Sequence, residues 1–151
     1  MENRDIEFIK KALVLANKAA ELGEIPVGAL VVNSKGEIIS SAYNLRETEK
    51  SATAHAEILA IEKACNTLGG WRLQGCTLYV TLEPCPMCAG AIVNSRIDRV
   101  VFGAYDMQAG CCGSVINFNA YPFNHAFQIT GGILEDECKK ILTDFFKNKR
   151  K

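Results

Sequence analysis

The 151-residue chain carries 17 Lys plus Arg against 17 Asp plus Glu, so no global positive field announces a nucleic-acid partner, although a local patch would suffice. With 48% apolar and 23% charged residues, the composition is that of an ordinary soluble globular protein, and the length suits a single domain over residues 1–151. Met1-Glu2-Asn3-Arg4-Asp5 opens no apolar signal segment and no window approaches the roughly 20 apolar residues of a membrane span, so seven cysteines are read as thiols and metal ligands in a reducing cytoplasm.

From about Asn3 to Leu22, Ile6, Ile9, Leu13, Ala16 and Ala20 recur at helical spacing, which predicts an amphipathic first helix packed on a sheet and ending near Gly23. Val27 to Val32 and Glu37 to Ala42 read as two short strands joined by an Asn33-Ser34-Lys35-Gly36 turn, a hairpin. A polar loop from Tyr43 to Thr53 leads to a second helix over about His55 to Leu68, stopped by Gly69-Gly70. Cys76 to Leu82, rich in β-branched and aromatic residues, is a buried strand. Pro84 and Pro86 break its ladder, and Pro86 suits the first turn of a helix running to about Asn94. Asp98 to Gly103 is another strand, and strand, helix and strand in succession imply a parallel pair with a right-handed crossover. Tyr105 to His125 is irregular, and a loop of that length is more often functional than idle. A short strand at Phe127–Thr130 and a last helix over about Leu134 to Lys147 complete the chain, which ends in a basic tail.

Chemistry concentrates at the third helix start. Cys85 and Cys88 stand at i and i+3 on a strand-to-helix turn, where free backbone N–H groups and the helix dipole favour thiolates. Two soft anionic ligands at C-x-x-C spacing are half a zinc site. About 30 residues upstream, His55 and Glu57 open the second helix. On a regular helix positions i and i+2 lie about 200° apart, so the two converge only on a target off the helix end. A metal held by Cys85 and Cys88 satisfies that condition. His55, Cys85 and Cys88 then supply three ligands and leave a fourth position open, as in catalytic zinc sites. Glu57 is left as a proton carrier for a zinc-bound water. H-x-E…P-C-x-x-C in this order is the known signature of zinc nucleobase deaminases.

The remaining cysteines have simpler readings. Cys65, Cys76 and Cys138 fall in regular elements and read as small buried apolar residues. The adjacent Cys111-Cys112 reads as small side chains in a tight glycine loop, with a second soft metal site or a redox switch as alternatives. His125 is open to two roles, a fourth zinc ligand or a contact to phosphate or backbone. The basic tail beside Phe145 and Phe146 is either a solvated helix end or a place where bases stack and phosphates are held.

Beyond the zinc motif, Glu24-Ile25-Pro26-Val27-Gly28-Ala29, Thr53 to Ile58, Leu78 to Cys85, Arg99 to Ala104, Gly131 to Leu134 with Glu137-Cys138, and Asp144-Phe145-Phe146 resemble the bacterial tRNA-specific adenosine deaminases. The resemblance spans nearly the whole chain. It implies a three-layer α/β/α cytidine-deaminase-like fold, with a mixed five-stranded sheet and helices on both faces. It also implies a homodimer whose groove draws on both subunits, and hydrolysis of the wobble adenosine of a tRNA anticodon loop to inosine. By matching position, His55, Cys85 and Cys88 bind one zinc ion per chain, Glu57 shuttles protons, Asn44 hydrogen-bonds the flipped base, and Asp106 and Asn124 contact the anticodon loop. Phe145, Phe146 and Arg150 are the stacking and phosphate-holding candidates of the tail. Gln108 stands where the family usually has lysine, and Cys111-Cys112 where alanine and another residue are common.

Two other readings keep parts of this pattern. One retains the chemistry and changes the substrate to a free base or nucleotide such as guanine, cytosine or deoxycytidylate, which suits the neutral charge. The other is a non-catalytic, zinc-stabilised nucleic-acid-binding module, which requires a fourth protein ligand from His125, Cys111 or Cys112 and leaves Glu57 without a purpose.

Overall fold

The computed structural model describes residues 2–149. Its elements are α1 (Glu2–Glu21), β1 (Gly28–Val32), β2 (Ile38–Tyr43), α2 (Ala56–Leu68), β3 (Thr77–Leu82), α3 (Pro86–Ser95), β4 (Arg99–Ala104), β5 (Gln128–Thr130) and α4 (Glu135–Lys149). The five strands form one sheet in the order β2-β1-β3-β4-β5. β1 runs antiparallel to β2 and β3, while β3, β4 and β5 are mutually parallel neighbours. The sheet is therefore mixed, and every expected strand and helix is present within a residue or two of its expected ends.

Two apolar layers hold the sheet between helices. Ala29, Val31, Leu78, Val80, Val100 and Phe102 face α2 and α3, and alternate residues Leu30, Val32, Tyr79 and Val101 face α1 and α4. Period-two alternation in strands buried on both sides explains why β1 is apolar throughout. The buried face of α1 comprises Asp5, Phe8, Ile9, Ala12, Ala16 and Ala19, so the stripe is rotated from the expected Ile6, Leu13 and Ala20, which are only half buried. Two contacts cause the rotation. A Cβ at Gly28 would lie 2.1 Å from the Ala12 carbonyl oxygen, so α1 crosses β1 with its alanines inward. Asp5 is drawn in because Arg99 meets it through two bonds of 3.0 and 2.7 Å, and the Tyr79 hydroxyl donates to it at 2.8 Å.

Turn chemistry sets the ends. The Asn33 carboxamide oxygen accepts from the backbone N–H groups of Lys35 and Glu37, closing the β1–β2 hairpin. Gly69, at φ 74°, ends α2 by donating to the Cys65 carbonyl, as does Gly70. Between β4 and β5 the chain runs as a long loop with one short 3-10 turn at Phe118–Ala120. Loops leaving the carboxyl ends of the parallel β3 and β4 meet the start of α2 on one rim of the sheet. The site lies there.

Candidate active site

Two helix starts converge. His55 is the N-cap residue of α2, with extended backbone (φ −72°, ψ 150°), and the helix begins at Ala56. This one-residue shift from the expected start removes the angular difficulty, since His55 lies outside the helical wheel on which Glu57 sits. Cys85 caps α3 in the same extended manner (φ −80°, ψ 176°), Pro86 opens the helix, and Cys88 follows in its first turn. The ligand atoms of His55, Cys85 and Cys88 all lie within 4.8 Å of one another. His55 Nδ1 is 3.6 Å from Cys85 Sγ and 3.5 Å from Cys88 Sγ. Zinc–sulfur and zinc–nitrogen bonds of about 2.3 and 2.05 Å at a tetrahedral angle require donors about 3.6 Å apart, so the set fits zinc with one corner left over.

The electrostatics agree with that fit. A hydrogen bond from Cys88 holds the Cys85 thiol down to about 4 against the effect of burial, with His55 adding to it. Cys88 is pushed far up by the negative Cys85 and by its own burial. Without a cation the pair keeps one proton between them. A dication is what allows two thiolates to stand side by side.

Glu57 is 4% exposed, in the first turn of α2. Burial raises its carboxyl to about 7, against the opposing pull of a backbone N–H and of His55. It lines a cleft of about 170 Å³ together with Ile25, Val27, Asn44, Arg46, His55, Leu82, Glu83, Cys85, Asp106 and Ala109. That is smaller than the roughly 300–1,000 Å³ of pockets that enclose drug-sized ligands, and suits a single flat ring. Asn44 is buried on its wall. Its Nδ2 donates to the Ile25 carbonyl at 3.4 Å, while its Oδ1 is buried with no partner among the described residues. A buried unpaired acceptor beside a pocket is a place for a ligand donor.

The other expected contacts divide. Asp106 lies on the rim, its carboxylate accepting from the backbone of Gln108 and Ala109 at 3.0 and 3.1 Å. Phe145 and Phe146, packed edge to face, line an adjoining cleft with Glu24, Arg46 and Lys149 that shares Ile25, Asn44 and Arg46 with the first. Asn124 is exposed and lines neither cleft. Arg150 lies outside the described residues.

No fourth protein ligand joins the cluster among the described residues. His125 Nε2 donates to the Ile97 carbonyl at 2.7 Å. Cys111 is buried with its thiol toward the Ala109 carbonyl, and burial with nearby Glu83 pushes the Cys112 thiol up to about 12. The adjacent cysteines are buried small side chains in a tight loop and outside the cluster, so the binding-module reading loses its closing ligand. Cys76 and Cys138 are buried as expected, and Cys65 is half buried.

Three site residues escaped the sequence reading. Glu83, beside the motif, is 1% exposed and accepts four hydrogen bonds from the loop after β4. Glu24, equally buried, accepts from Glu47 N at 3.1 Å and from Thr48 N and Oγ1 at 2.6 Å each, fixing the loop after β2. Arg46 brings a cation to both clefts. A carboxylate at the end of an apolar strand is the signal that would have found Glu83.

A family model described as "Cytidine and deoxycytidylate deaminase zinc-binding region" matches residues 2–104. The tRNA-specific adenosine deaminase of Bacillus subtilis is 53% identical over 149 residues, covering 98% of this chain and 92% of its own. A structure solved in studies of A-to-I editing by tRNA:A34 deaminases superposes with a TM-score of 0.87 at 43% identity, covering 90% of this chain and 99% of that one. The guanine deaminase of Bacillus subtilis is 42% identical over 72% of this chain and 69% of that one, with a TM-score of 0.64. The chain belongs to the zinc-binding cytidine and deoxycytidylate deaminase family.

Proposed function

We propose that this deaminase hydrolyses the wobble adenosine of a tRNA anticodon loop to inosine and ammonia. The observation that carries the chemistry is a three-point His55/Cys85/Cys88 cluster with the buried Glu57 beside it, at the floor of a cleft sized for one base. The substrate class is supported by relatives named for tRNA adenosine deamination that align along nearly the full chain.

His55, Cys85 and Cys88 hold one zinc ion per chain, which supplies the Lewis acidity that makes water a nucleophile near neutral pH. Glu57 takes a proton from the attacking water and delivers one to adenine N1. As the C6–N6 bond breaks, it takes the remaining proton from the C6 hydroxyl and gives it to the departing amine, so water and adenosine become ammonia and inosine. Asn44 accepts a hydrogen bond from the flipped base at its unpaired Oδ1. An anticodon loop makes that flip inexpensive compared with a duplex. Asp106 and Asn124 touch neighbouring nucleotides, Phe145 and Phe146 stack bases along the adjoining cleft, and Arg150 holds phosphate. The reading includes a single deaminase domain over residues 1–151, a homodimer whose groove draws on both subunits, and work in the cytoplasm. No described helix is long and apolar enough to cross a membrane.

A free-base reading has one observation in its favour, the 42% identity to a guanine deaminase. Incubation with an anticodon stem-loop and, separately, with free guanine, cytosine and deoxycytidylate decides between them. Ammonia and inosine from the stem-loop are expected. Ammonia from guanine alone rejects the tRNA reading.

A further inference from the structure

We infer that Glu83 is a positioning residue for the substrate, its carboxylate fixing the loop that carries Asp106 across the mouth of the pocket. What that loop touches rests on the tRNA reading above. How it is held does not.

Glu83 continues the line of β3, its N–H donating to the Ala104 carbonyl at 2.9 Å, two residues before Cys85. Its Oε1 accepts from Asp106 N at 3.0 Å and from the Ser114 hydroxyl, and its Oε2 accepts from Cys112 N at 2.9 Å and Ser114 N at 3.1 Å. One carboxylate thus grips both ends of the segment 106–114. No Lys or Arg stands within ion-pair distance of it among the described residues, so its charge is met by loop dipoles. Gly110 confirms how closely the loop wraps it. A Cβ there would lie 2.3 Å from Glu83 Cδ and 2.5 Å from the Asp106 carbonyl oxygen.

The metal ligands have anchors of their own, and Cys111 N, donating to the Pro84 carbonyl at 2.9 Å, keeps the loop tied to the turn before Cys85 when Glu83 is weakened. Ala89 N donates to the Cys85 carbonyl at 2.8 Å and Leu59 N to the His55 carbonyl at 3.1 Å, so each capping residue is tied into its own helix. Weakening Glu83 therefore loosens the wall formed by Asp106 and Ala109 and spares the metal and Glu57. The kinetic signature is a rise in KM with kcat retained, which a general loss of fold does not produce.

The test is Glu83→Gln in the full chain, whose amide sets an N–H₂ against backbone donors. Zinc content is expected to stay at the wild-type level. KM for an anticodon stem-loop should rise about tenfold with kcat within about threefold. Amide exchange across residues 105–115 should accelerate while α2 and α3 keep their protection. Ser114→Ala removes one donor to the same carboxylate and should raise KM about twofold to threefold, which keeps the inference testable if Glu83→Gln does not fold. The inference is overturned if kcat falls with KM unchanged, if exchange quickens equally in α2 and α3, or if Ser114→Ala has wild-type KM. Should wild type deaminate guanine and not the stem-loop, the tRNA reading fails, and exchange together with KM for guanine still decides the role of Glu83.

Discussion

Glu57→Gln separates chemistry from architecture at one atom. The side chain keeps its shape and loses the ability to carry a proton. General acid–base groups contribute about 10²- to 10⁴-fold, and Glu57 is assigned the attack, the N1 protonation and the departure of the amine, so a loss of about 10³ to 10⁴ in the single-turnover rate is expected. Stability should move the other way. Burial holds the folded carboxyl near 7, above its ordinary 4.5, so the folded chain binds protons the unfolded chain has released. In metal-free wild type this cost is absent below about pH 4.5, grows through the window to about 7, and reaches about 3 kcal/mol above it. Glutamine has no such cost. The metal-free variant should therefore gain on wild type in urea melts as pH rises from 4.5 to 7, and hold that gain beyond. Inosine formation on the stem-loop, zinc content and paired melts at pH 5 and 8 are the measurements. Activity within tenfold of wild type would remove Glu57 from the reaction, and a variant less stable than wild type at pH 8 would show that its charge is structural.

Cys88→Ala deletes one of three ligands and should abolish stoichiometric zinc in the purified protein; an unchanged metal content dismisses the ligand set. Phe146→Ala, at a side chain 43% exposed, should leave the melting temperature nearly unchanged and raise KM for the stem-loop about fivefold or more, as loss of one base stack would. A wild-type KM would confine the tail to packing. Asp5→Ala leaves Arg99 and Tyr79 without their shared acceptor and should cost about 2–4 kcal/mol, because Asp5 is 5% and Arg99 28% exposed at the side chain. Burial opposes the Asp5 charge, but Arg99 and Tyr79 outweigh it and hold the carboxyl below 3.8. Its contribution is full above that value and fades as pH falls through the lower folded one, so the gap between wild type and Asp5→Ala in chemical melts should narrow only in strong acid.

Much of the fold was legible because its signals are local. The apolar runs of β1 and β3, the Asn33 turn, the glycines after α2 and Pro86 at the start of α3 each act within a few residues, and each element appears where they put it. The face of α1 was not legible in the same way. Its rotation depends on Gly28 and Arg99, residues far along the chain that admit alanines and draw in an aspartate. Matching position puts Asn44 and Asp106 on the cleft, while Asn124 lines neither cleft.

Residue type and spacing alone specify the donor chemistry proposed for this site. C-x-x-C across a helix start and H-x-E at another fix which atoms are soft, which are anionic and which carboxylate is spare, since residue type and one helical turn suffice for that. Long-range packing settles the rest: His55 caps its helix instead of lying within it, Cys111, Cys112 and His125 stay outside the cluster, and Glu24 and Glu83 brace the loops bordering the pocket. The placing of His125 and the bracing by Glu24 and Glu83 depend on hydrogen bonds between residues 23 to 31 positions apart, whose partners no local pattern announces.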